Sequence, residues 1–272
     1  MNERLNIRRM AVPEQQKESA TFDVEKDISQ HDWDLMVKQL NEQREGDKEW
    51  VPNLLSELKI MRPDDTRHVL PRDIKWLGRK VKSTEGTADW DEYLNCAFAL
   101  KVLEPQRRLH SPGDMDLSFQ SFLTRGSQGS VQHINLRIAR DTFRARVIHP
   151  EWDYGYLDDE LFRETIRELK EVFADDREDV VIHAAESAAA IRALYPNKDL
   201  EITNQNWKDM RTDLARYKSP DLFVYGISQL GAAMTILAAD DVRITDQGLY
   251  IVRHTEKEME KSIPTQPEPL VL

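Results

Sequence analysis

The feature that most constrains the fold of this chain is an internal repeat of about 43 residues. A short motif that ends in proline occurs at Leu58–Pro63 and again at Leu100–Pro105. Weaker copies follow at Ala145–Pro150 and Ile191–Pro196, and a last copy at Met234–Ala239 lacks the proline. Successive copies are 42, 45, 46 and 43 residues apart. A fixed period of this length indicates a chain built from repeated supersecondary units.

A second marker has the same period. A large aromatic residue opens each unit, at Trp33, Trp76, Phe119, Phe162 and Trp207. Apolar residues follow at spacings of three or four, which predicts an amphipathic helix A. A more apolar helix B follows a polar turn and ends at the proline motif, because proline cannot continue a helix. Helix B is predicted at Val51–Met61, Tyr93–Leu103, Ile134–Ile148, Val180–Tyr195 and Leu222–Ala239.

The predicted fold is therefore all-α, with about five stacked antiparallel helical hairpins that form either an α-solenoid or a compact helical-repeat bundle. The repeat domain is expected at residues 31–252, with units starting near residues 31, 74, 117, 160 and 205. The third unit is the weakest copy, and the glycines between its helices favour a flexible joint. The polar residues 1–30 are predicted to be a flexible arm, and residues 253–272 a charged, proline-containing tail.

Two-helix units of this length resemble the HEAT and armadillo class of α-solenoid, whose repeats run about 40–47 residues. The resemblance covers about residues 31–252 and is one of period and helix count. The aromatic at the start of helix A and the proline motif at the end of helix B are not the consensus of either family. The resemblance implies stacked hairpins with a groove, and it implies no enzyme.

Charge and composition exclude several classes of partner. The net charge is −11, and residues 151–272 carry all of it, with 14 basic and 25 acidic residues. This excess of acidic residues argues against binding to duplex DNA or to anionic membranes, because both require a surplus of Lys and Arg on the protein. No apolar run is long enough to span a bilayer, and the start lacks a signal-peptide core, so we expect no membrane association. A single cysteine, Cys96, fits a cytoplasmic protein.

No motif for catalysis or metal binding is present in the sequence. Seven histidines are scattered without the paired spacing of a zinc site. His183 and Glu186 lie three residues apart on a predicted helix, but a second such pair is missing, so no metal is predicted there. No Gly-x-Ser-x-Gly marks a nucleophile. We predict no catalytic residue and no cofactor, and an enzyme with a site formed between repeats stays an alternative.

Two basic clusters are the candidate partner-binding residues. Arg137, Arg140 and Arg144 would share one helix face, and Arg79 and Lys80 form a second cluster. Such side chains could bind phosphate or an acidic peptide, although a solvated face paired with carboxylates is the plainer interpretation. The first functional hypothesis is an interaction scaffold or adaptor for a protein or peptide. The alternative is binding of RNA or another polyanion through these residues, which the acidic net charge disfavours. The sequence indicates no oligomeric state.

Overall fold

The computed structural model of the chain describes residues 22–45, 50–65, 67–85, 87, 89–110, 115–126, 133–175, 180–218 and 224–253. Of these residues, 70% are helical, and they form eleven helices and one small two-stranded sheet. The predicted all-α fold is therefore confirmed. None of the helices in these ranges is long and apolar enough to cross a membrane.

Five hairpins follow a short first helix, α1 (Val24–Asp27). Five helices correspond to helix A and are called the outer helices: α2 (Gln30–Glu45), α4 (Pro71–Thr84), α6 (Met115–Gly126), α8 (Asp159–Phe173) and α10 (Asn204–Tyr217). Five correspond to helix B and are called the inner helices: α3 (Val51–Met61), α5 (Trp90–Leu103), α7 (Ile134–Ile148), α9 (Val180–Leu194) and α11 (Val224–Ala238). Two strands, β1 (Asp241–Thr245) and β2 (Gly248–Val252), come last.

Local sequence explains where these helices begin and end. The inner helices α3, α5, α7 and α9 each stop two residues before the motif proline, because the residue before a proline avoids helical backbone angles. The carboxylate of Asp158 accepts hydrogen bonds from the amides of Glu160 and Leu161 at the start of α8. Thr203 and Asn206 form a reciprocal capping box at the start of α10. The third unit forms both of its helices. Gly126, the first residue of the predicted joint Gly126–Ser130, ends α6, and residues 127–130 lie outside the described residues.

The five inner helices form a closed ring. Each packs against the next along the chain, and α11 packs back against α3. Helices α11 and α3 approach each other closely at Gly231, where an added Cβ would lie 2.5 Å from the sulfur of Met61. One turn earlier, Ser228 of α11 bonds Glu57 of α3, so the two helices run in the same direction. The sequence left an open solenoid and a closed bundle as alternatives, and the structure has the closed arrangement.

The periodic aromatic residues pack between helices. Trp33, Phe119 and Trp207 are buried, whereas Trp76 and Phe162 are half-buried. Phe119 of α6 lies 5.3 Å from the Trp90 ring of α5. One large ring at the same place in each unit thus fills the space between an outer helix and its neighbours.

The fold begins earlier than the predicted boundary at residue 30. Val24 and Ile28 are buried, and the ammonium of Lys218, after α10, donates to the carbonyl oxygen of Asp27. Burial of these two apolar side chains against the fifth unit holds residues 22–30 in the fold. The rest of the predicted arm, residues 1–21, lies outside the described residues.

The segment after α11 forms two strands, which the all-α prediction did not include. Strands β1 and β2 form an antiparallel hairpin in which Val242 is buried and Arg243 is exposed. The alternation of apolar and polar residues suits a strand, and Gly248 adopts a φ of 106° at the turn. Arg253 then donates to the carbonyl oxygens of Ile60 and Met61 at the end of α3. Residues 254–272, most of the predicted tail, are outside the described part of the chain.

Candidate functional site

A chamber of about 70 Å³ lies along the axis of the ring, and all five inner helices line it. This volume holds roughly five water molecules, since one water needs about 10–15 Å³. The polar lining residues are Asn53, Ser56, Glu57, Arg140, Arg144, Glu186 and Gln229. Charged side chains from three inner helices converge in this chamber.

The chamber has a polar part and an apolar part. On three inner helices a polar lining residue precedes an apolar one, and these pairs are Glu57 and Ile60, Glu186 and Ala190, and Gln229 and Ile236. The rings of Phe98 and Phe143 meet edge to face in the wall, with centroids 5.5 Å apart. A molecule with one polar end and one apolar end therefore fits this lining better than a uniformly polar one.

The predicted arginine face is divided between two environments. Arg140 and Arg144 line the chamber, where Arg140 Nη1 lies 3.3 Å from Oε2 of Glu186 and 3.1 Å from Nδ1 of His183. Arg144 Nη1 donates to the amide oxygen of Asn95 at 3.0 Å. Arg137 instead pairs with Asp141 on its own helix and lies over the Phe122 ring.

The second predicted cluster is not part of the chamber lining. Arg79 is exposed on α4, and the ammonium of Lys80 forms an ion pair with Glu92 of α5. The structure therefore brings together only Arg140 and Arg144 of the five candidate residues at this site. Whether any of the five binds a partner stays a prediction.

Their surroundings shift the pKa values of the two carboxyl groups of the chamber in opposite directions. Burial raises the pKa of Glu57 to about 8, although the hydrogen bond from Ser228 opposes the rise. For Glu186, burial also acts to raise the pKa, but His183, Arg140 and Arg144 together hold it below its ordinary value. At pH 7 Glu57 is therefore protonated and Glu186 is ionised.

These protonation states leave a charge imbalance in the chamber. Arg140 and Arg144 contribute two positive charges, Glu186 contributes one negative charge, and protonated Glu57 contributes none. The four ionisable lining residues thus sum to one positive charge. The buried carboxyl group of Asp141 acts on Arg144 and Arg140 from outside the lining and offsets part of this charge, so the chamber favours an anion over a cation.

The same residues also set what chemistry is available. Two carboxyl groups with pKa values pushed apart could exchange protons with a bound molecule. A metal has less support, because His183 and Glu186 both contact the guanidinium of Arg140. Within the described ranges, no group of three or more potential ligands among His, Cys, Asp and Glu is arranged to hold a metal ion.

The chamber residues follow the repeat, which is a signal that the sequence contains but that our interpretation of it missed. Arg140 and Glu186 are 46 residues apart, and Glu186 and Gln229 are 43 residues apart, which are the spacings of the proline motif in the same units. Polar residues at equivalent positions of several repeats must face the same way, and here they face the axis.

Comparisons with known proteins add no relative to this description. The chain matches no family model, no curated protein and no solved structure. The resemblance to HEAT and armadillo repeats thus remains one of period and helix count.

Proposed function

We propose that this chain is a binding protein that holds a small ligand in the axial chamber. The observation that carries the proposal is the convergence of Glu57, Arg140, Arg144 and Glu186, from three different helices, on one partly open chamber. Ionisable groups with strongly shifted pKa values in a cleft are more common at functional sites than elsewhere. If these charged residues only stabilised the fold, we would expect them to pack without an unfilled volume beside them.

Binding has more support than turnover. The chamber has room for only a few non-hydrogen atoms, and Glu57 is held by Ser228 with a distance of 2.5 Å between Oγ and Oε2. An enzyme that uses Glu57 and Glu186 as its acid and base is the alternative. It predicts that a bound ligand is converted, which nuclear magnetic resonance of the ligand would detect.

A thermal-shift panel tests the binding proposal. The full chain is heated with small carboxylates, alcohols, amines and inorganic anions, and a ligand of the folded state raises its Tm. Ala232 lines the chamber, and its replacement in Ala232→Leu fills part of the space. We expect at least one compound class to stabilise the wild-type protein and to lose its effect on the folded Ala232→Leu variant. A panel with no such compound would overturn the proposal.

An interaction scaffold is the second candidate function, and the charge distribution favours it. The acidic excess of residues 151–272 predicts a basic protein or peptide partner for the outer surface of the fourth and fifth units. A closed ring offers no open concave groove, so such a partner would bind the outer helices. Crosslinking that recovers no specific basic partner would count against it.

RNA binding has less support, because Arg140 and Arg144 line the chamber. A cytoplasmic location fits a chain with one cysteine.

A further inference from the structure

The two chamber arginines differ in how their charges are compensated. Arg140 contacts the carboxylate of Glu186, whereas Arg144 donates to the neutral amide of Asn95. No carboxylate of the described residues forms an ion pair with Arg144. Its guanidinium has five N–H donors, and the bond to Asn95 uses one of them. Arg144 is thus the lining residue best able to bind a further acceptor.

We propose that the ligand of the chamber is a small monocarboxylate, bound by Arg144 with its short apolar chain against Phe98 and Phe143. This inference rests on the proposed function and names the class of ligand. A planar guanidinium can hold a carboxylate through two parallel hydrogen bonds, which a halide cannot accept.

Charge selects a monoanion over other ligands. One negative charge neutralises the single positive charge of the lining, whereas a dianion would leave an excess negative charge beside Glu186. A cation would add to the charges of Arg140 and Arg144. A neutral molecule would offer Arg144 no opposite charge beyond those of Asp141 and Glu186, which act on it already. The protonated carboxyl of Glu57 adds an O–H donor that a carboxylate can accept.

Shape and polarity select the rest of the molecule. Ile60, Phe98, Phe143 and Ile236 provide an apolar wall, so a hydrocarbon chain replaces water there favourably. The volume of about 70 Å³ suits a molecule, or the end of a molecule, of a few non-hydrogen atoms. A short-chain carboxylate meets both limits.

Isothermal titration calorimetry of the full chain with three molecules of similar shape tests this class. The probes are butyrate, butan-1-ol and butylammonium, which carry a negative charge, no charge and a positive charge. We expect butyrate to bind at least about tenfold more tightly than either of the others, the size of one charge-assisted interaction. Equal or tighter binding of butan-1-ol or butylammonium would overturn the inference, as would no binding of butyrate.

Two arginine variants locate the carboxylate. Arg144→Gln is expected to weaken butyrate binding by about tenfold or more, while Arg79→Gln, at an exposed arginine outside the chamber, leaves it unchanged. Unchanged binding by folded Arg144→Gln would overturn the assignment. If that variant does not fold, the relative affinities of the wild-type chain for the three probes still test the ligand class.

Failure of this inference can be told apart from failure of the proposed function. If another compound class of the panel stabilises the wild-type chain and Ala232→Leu abolishes that effect, the chamber binds a ligand but the monocarboxylate is wrong. If no compound of the panel stabilises the chain, both proposals are wrong.

Discussion

Ser228 of the last inner helix donates a hydrogen bond from Oγ to Oε2 of Glu57 on the first inner helix, at 2.5 Å. The two residues are 171 positions apart in sequence. Ser228 is fully buried, and the side chain of Glu57 is almost so. The bond therefore joins the two ends of the repeat array inside the protein, at a carboxyl group whose pKa burial raises to about 8.

Replacement of Glu57 by Gln tests this carboxyl group through the pH dependence of stability. The pKa of Glu57 is about 8 in the fold against an ordinary 4.5, so the folded state holds the proton between these values. The contribution of Glu57 to the free energy of unfolding therefore falls as pH rises from about 4.5 to about 8, by at most about 1.4 kcal/mol per pH unit. The amide of Glu57→Gln does not ionise, so this variant lacks the pH-dependent contribution to the free energy of unfolding. We expect its stability relative to wild type to increase with pH up to about 8.

Urea unfolding from pH 5 to pH 9 measures this difference. Glu171→Gln is the control, because Glu171 is exposed on α8. Its difference from wild type should stay small at every pH. A difference for Glu57→Gln that does not change with pH would show that Glu57 titrates normally in the fold.

Gly231→Ala tests the closing contact of the ring. An added methyl group would lie 2.5 Å from the sulfur of Met61 and 2.9 Å from Cδ1 of Ile28, and both side chains are fully buried. Overpacking of this kind costs about 1–3 kcal/mol and exceeds the helical preference for Ala over Gly. Gly78→Ala is the matched control, because its methyl group meets only the end of the Arg107 side chain. Chemical denaturation should show Gly231→Ala less stable than Gly78→Ala.

Asp73→Ala tests the buried ion pair between the first two outer helices. Arg44 Nη2 lies 2.6 Å from Oδ2 of Asp73, and both side chains are at most 5% exposed. Loss of Asp73 leaves Arg44 buried without its partner, which costs about 3–5 kcal/mol. Glu42→Ala, which removes an exposed pair with Lys38 on α2, should cost under about 1 kcal/mol. Similar unfolding midpoints for the two variants would contradict this.

Trp207→Ala tests the packing role of the periodic aromatic residues. Trp207 is 4% exposed, so its removal leaves a cavity and should cost about 3–5 kcal/mol. Tyr250, which is 57% exposed on β2, is the control, and Tyr250→Ala should cost much less. Unfolding followed by circular dichroism compares the two. Near-native stability of Trp207→Ala would show that the ring is not a packing element.

The helices could be predicted because their signals are local. A proline sets the end of α3, α5, α7 and α9, and the apolar spacing marks the inner helices. The hairpin of β1 and β2 was missed because each strand has only five residues. Five residues of alternating pattern, as in Asp241–Thr245, are a weaker signal than a repeat period.

The chamber could not be predicted because it depends on ring closure. The small rotation between successive hairpins decides whether an array closes into a ring. This rotation cannot be predicted from the residue pattern of one repeat. The contacts of Arg140 with Glu186 and of Arg144 with Asn95 join consecutive inner helices and need no closure. Closure adds the contact of the last inner helix with the first, where Ser228 bonds Glu57, and so completes the lining.

Closure also changes how the protein can lose its structure. An open array frays from its terminal repeats, and its stability adds up repeat by repeat. In this protein the contacts of α11 with α3, together with Arg253 at the end of α3, give the first and last hairpins a neighbour on each side. No hairpin is an end, so removing any one of them breaks two interfaces and opens the interior to water. The number of units is thereby fixed, and a duplication or deletion that an open solenoid tolerates would abolish this fold.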